Sequence, residues 1–182
     1  FDTGLTGSAD GYNLSFTGGT TTIAGDTNLT HTGTLTLGDG GDTLTFTGGL
    51  DTTGVGGQVN VGGTVGTDGA QMDLGAITLT ATSELLTDES TAAGAILNVG
   101  AVTGGNNQLT LDGGTGGAIG VTSIAAGGDL ILTDSGGATF GAVNADAVTL
   151  TSTTGTIAFQ GVTTFDTGLT GSADGYNLSF TG

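Results

Sequence analysis

The chain has 182 residues, of which 40 are Gly and nearly as many Thr; it lacks Lys, Arg, Pro, Cys and Trp and carries a formal charge of −17. With no cation to meet a phosphate, neither a nucleic-acid partner nor attraction to an anionic membrane surface is expected, and the absence of cysteine excludes a disulfide framework. Collagen fails because Gly has no three-residue period and Pro is absent, while acidic disorder sits badly with a mean hydropathy of +0.23 and recurring apolar clusters.

The chain opens on Phe1-Asp2-Thr3-Gly4, which has neither the basic nor the apolar region of a secretion leader, so the sequence reads as an interior stretch of something longer. The opening segment, Phe1 to Gly18, returns unchanged as Phe165 to Gly182. The expectation is a tandem repeat of 164 residues, with 1–164 one unit of a continuous rod and 165–182 the start of the next. A finer echo follows: Gly11 to Gly19 matches Gly41 to Gly49 at six of nine positions, both built around Leu-Ser-Phe or Leu-Thr-Phe.

Short strands are predicted at Thr34–Leu37, Val59–Val61, Ile77–Leu79, Leu97–Val99, Leu109–Leu111, Leu130–Leu132, Val148–Leu150 and Thr156–Phe159. Most alternate a large apolar residue with Thr, Ser or Asn, the period of a half-buried strand, and Gly-rich punctuation separates them. No segment has helical periodicity. Ser83 to Ser90, which holds both glutamates, is expected to leave the main body as a wide turn or one short helical turn.

Similar motifs lie about 20 residues apart, from Leu14 to Leu35, Val59 to Ile77, Ile77 to Leu97 and Leu109 to Leu130, the length of one winding in small solenoids. Aromatic residues make up only 5% of the chain, too few for the thick core of a sandwich but enough for a narrow tube. The predicted fold is therefore all-β: a parallel β-helix (β-solenoid) of about eight coils of roughly 20 residues per unit, or on the order of 40 Å of fibre. Absent Pro suits central strands, where Pro would remove a ladder donor.

The Leu-Thr-Leu and Leu-Ser-Phe strands with Gly-Gly, Gly-Thr and Asp-Gly turns, together with the lack of Lys and Cys, resemble bacterial filamentous-haemagglutinin-type adhesins and autotransporter passengers. That resemblance implies a right-handed parallel β-helix exported to the cell surface for adhesion, biofilm or sheath formation. It transfers no functional residue, and the lack of Lys and Arg departs from a basic glycan-binding patch.

Chemistry is sparse. His31, the single histidine, shares parity with Leu29 and Leu35 and reads as a structural residue rather than as the base of a Ser-His-Asp triad; no catalytic function is expected. Gly38-Asp39-Gly40-Gly41-Asp42-Thr43-Leu44 fits most of a calcium-binding nonapeptide, which makes Asp39 and Asp42 candidate Ca2+ ligands, although a glycine turn before a strand explains the same residues. Asn13, Asn28 and Asn177 each open an Asn-x-Ser/Thr acceptor pattern for glycosylation. Thr30 to Thr36 and Thr43 to Thr47 form Thr-rich strands that suit an ice-binding surface or, more simply, outward β positions. The function expected is a structural repeat of an extracellular or cell-surface filament, whose partner is itself, head to tail and side to side; the alternatives are the stalk of an adhesin and a calcium- or ice-binding surface.

Overall fold

The structure, a computed structural model, describes residues 3–182, which hold strands and no helix. In chain order these are β1 (Leu14–Phe16), β2 (Thr20–Ile23), β3 (Thr27–Asn28), β4 (Leu35–Leu37), β5 (Thr43–Phe46), β6 (Leu50–Asp51), β7 (Val59–Gly66), β8 (Met72–Leu74) and β9 (Ile77–Leu86). There follow β10 (Leu97–Thr103), β11 (Leu109–Asp112), β12 (Ala118–Ala125), β13 (Leu130–Asp134), β14 (Gly137–Leu150), β15 (Gly155–Phe159), β16 (Thr163–Gly171) and β17 (Tyr176–Phe180). Every ladder between them is parallel. Two facing antiparallel sheets are thereby excluded. The chain is a β-solenoid of about eight windings, each of about 21 residues.

Each winding has three short faces, visited in the order first, second, third. On the first face Leu14, Leu35, Val59, Ile77, Val102, Ile124 and Val143 stack one above the other. The second carries Leu44, Val65, Leu85, Leu111, Leu132 and Leu150, and the third Leu50, Met72, Leu97, Ile119, Ala138 and Ile157. Nearly all are fully buried. Alternation explains why: a three-residue strand points its first and third side chains to the axis and its middle one outward. Burying each such Leu, Ile or Val contributes roughly 1.5–3 kcal/mol, and the backbone bonds to the windings above and below satisfy the polar groups that burial would otherwise leave unpaired.

All eight predicted strands are present. The reading of Ser83 to Ser90 is corrected: Ser83 to Leu86 ends β9 and lies in register with Gly63–Gly66 below and Leu109–Asp112 above. Glu84 is the outward residue between buried Ser83 and Leu85, so a charge-rich stretch still obeys the period of two. The stacking of Leu14 on Leu35, Val59 on Ile77 and Leu109 on Leu130 matches the spacing argument, whereas Ile77 stacks on Val102 and Leu97 on Met72. The loop after Thr87 lengthens that winding, and equal spacing misassigns the face.

Glycine is demanded where windings touch. Gly38 has φ +76°, and a Cβ there would lie 1.9 Å from the carbonyl oxygen of Gly62 in the next winding. Gly63, at φ +90°, turns the corner within β7 with the Asp42 carbonyl oxygen 2.6 Å from where its Cβ would stand.

Candidate functional site

Asp42 sits under that corner and is buried. Its Oδ1 accepts the backbone N–H of Gly18 at 2.9 Å and of Gly19 at 2.5 Å, and its Oδ2 accepts the N–H of Asp39 at 2.8 Å. These bonds, led by Gly19, hold its carboxyl below the usual range, because each favours the charged form. The contact with Asp42 and then its charge push Asp39 upward. The two candidate calcium ligands are thus neighbours, but the carboxylate of Asp42 faces three N–H donors whose dipoles already neutralise it. It ties the second winding to the first. Among the described residues no group of three or more His, Cys, Asp or Glu is placed to hold a metal ion.

The densest charge lies at the corner that follows the second face, where Asp88, Asp112 and Asp134 come from three successive windings and Asp174 from the second winding beyond Asp134. Burial pushes half-buried Asp112 up to about 6, aided by the charges of Asp88, Asp134 and Glu84 against a bond from the Gly114 N–H. Burial first and Asp134 second raise Asp88, and burial with Asp174 raises Asp134. Asp68 goes the other way, lowered first by the Ser90 side chain and then by Thr91; its Oδ1 accepts the Ser90 N–H at 3.2 Å and the Thr91 hydroxyl at 2.8 Å. Spacing alone does not reveal this corner, since its members lie far apart in the chain and meet only through register. Inward of the same corner run the buried hydroxyls of Thr67, Thr87, Ser135 and Thr153. Thr67 donates to the Ala70 carbonyl and Thr87 to that of Ala95, while those of Ser135 and Thr153 have no protein partner.

His31 is fully buried, its ring stacked on Tyr12 with centroids 4.9 Å apart, and neither ring nitrogen has a partner. Among the described residues it meets no carboxylate, and it packs in the first windings. Asn13, Asn28 and Asn177 are all exposed; Asn13 also accepts the Thr34 N–H at 2.8 Å and so stitches two windings.

The outward residues form one ladder per face. On the second face it reads Thr20, Thr43, Thr64, Glu84, Thr110, Ile131, Thr149 and Thr170. The first face shows Ser15, Thr36, Asn60, Thr78, Thr103, Ala125, Asn144 and Thr164, with no charge. Between the third and first faces an open groove of about 630 Å³ runs along the axis, lined by Thr53, Gly75, Asn98, Gly100, Thr122 and Gln160 among others, none of them charged. The first face and the groove offer hydroxyls and amides for neutral hydrogen bonding, while on the second face the Thr64 hydroxyl donates to the Glu84 carboxylate at 3.3 Å. No protein-family model, curated protein or solved structure matches the chain.

Proposed function

We propose that the chain is a structural repeat of a long secreted or cell-surface filament, serving as sheath, matrix or biofilm fibre. One observation carries this reading: the segment Phe1–Gly18 returns unchanged as Phe165–Gly182 in a fold that grows by adding windings to an open end. In such a quasi-one-dimensional fold each winding contacts only its neighbours, so units join without new interfaces. Neutral Thr and Asn ladders suit side-by-side contact between rods. Electron microscopy and fibre diffraction of the native material test the reading. Thin continuous rods with a meridional spacing of about 4.8 Å are expected; isolated compact particles from a gene with a single unit would refute it.

A further inference from the structure

The two copies of the repeated segment make the same Ser-to-Asp turn and yet occupy different faces. In both, the Ser hydroxyl donates to the Asp two residues on, Ser8 to Asp10 and Ser172 to Asp174. Globally, Thr6 of the first copy bridges to Asn28 on the third face, while Thr170 of the second pairs with Thr149 on the second face. Leu14 and Phe16 pair with Leu35 and Leu37 on the first face; their counterparts Leu178 and Phe180 pair with Ile157 and Phe159 on the third. The displacement is one face backwards at both places. Phe1 and Asp2 lie outside the described residues.

Taking this together with the filament reading, on which it rests, we infer that each repeat unit spans seven and two-thirds windings, so that successive units are turned by one face about the axis. Seven windings carry the column from Leu14 to Thr163, and two further faces bring the chain to Leu178. The faces tolerate the exchange because all three accept the same strand: the related Leu44-Thr45-Phe46 lies on the second face, with Leu44 and Phe46 buried. The occupant of the exposed Leu178 and Phe180 is then a further copy of Leu35-Thr36-Leu37, laid on the third face as the original is on the first. Every corner and ladder, including the acidic corner, recurs on all three sides of the fibre, and lateral contacts are offered in three directions.

At about 4.8 Å per winding, a unit rises about 37 Å and identical surfaces realign after about 110 Å. The chain has no cysteine, so paired thiols read the face directly. Ala158→Cys with Ser179→Cys, register partners on the third face, should be bridged by a short bifunctional bimane, and Thr164→Cys with Ser179→Cys should not. The reverse pattern overturns the inference. Three units in tandem, imaged by cryo-electron microscopy, should show a true repeat of about 110 Å. Rods repeating every ~37 Å, with all units facing alike, would overturn the rotation and leave the filament intact. Failure of the tandem chain to make one continuous rod, with the 158–179 bridge still forming, would sink the filament reading, and with it the rotation of units.

Discussion

Asp42 and Asp112 show how one residue type takes opposite roles in one tube. Asp42 is charged because three backbone N–H groups converge on it, and its contribution to stability is present above the ordinary carboxylate range and lost as pH falls below it. Asp112 is half-buried among like charges and keeps its proton to about 6. With the folded value raised, its contribution is complete below the unfolded value and is lost as pH rises through about 6. Asp112→Asn, which retains an acceptor for the Gly114 N–H, is therefore expected to raise Tm at neutral pH by about 2–4 °C once solvent screening is allowed for. The gain should fade as the pH falls well below 6, and thermal melts across that range check it; Asp42→Ala should lower Tm at neutral pH. A uniform effect of Asp112→Asn at all pH values would contradict burial as the cause.

At the level of elements, the aromatic column at the C-terminal end concentrates the packing. Phe159 stacks on Phe140 at 5.3 Å and under Phe180 at 5.1 Å, with Phe165 edge-on at 5.3 Å. It is fully buried. Phe159→Ala is expected to cost about 3–5 kcal/mol, and the loss should stay local because each winding depends mainly on its neighbours. Hydrogen exchange should quicken in Gly155–Phe159 and Tyr176–Phe180 while Ile77–Leu86 keeps its protection; equal acceleration everywhere would mean the rod melts as one unit. The strands themselves are legible from alternation, since Leu-Thr-Leu and Val-Asn-Val need no tertiary partner to declare a two-residue period. Ser83 to Leu86 escapes that reading because Glu84 at the outward position makes a buried-edge strand look like a solvated loop. A motif picks out Asp39 and Asp42, but the N–H donors on Asp42 come partly from Gly18 and Gly19, one winding below, and no motif announces them.

Over the whole molecule, a charge of −17 with no Lys or Arg leaves every carboxylate repelling the others. Screening should stabilise the rod, since the Debye length shrinks from about 30 Å at 0.01 M to about 3 Å at 1 M ionic strength. Tm is expected to climb with NaCl, and CaCl2 or MgCl2 at matched ionic strength should add little, because the Asp42 carboxylate is already met by three backbone N–H groups. A Ca2+-specific rise at matched ionic strength, abolished by chelator, would favour Asp39 and Asp42 as calcium ligands.

Composition and alternation alone determined that this chain is all-β, built from short strands, free of ladder-breaking Pro and wound at roughly twenty residues per coil, because each of those properties is local: side-chain parity, turn chemistry and backbone donors are set within a few residues. Which face each strand occupies was decided only by the tertiary structure. Face assignment accumulates every loop length before it, and those lengths are unequal: the winding from Val59 to Ile77 is shorter than the one from Ile77 to Val102. An identical segment therefore falls one face away from its first position, and carboxylates far apart in the chain gather at one corner.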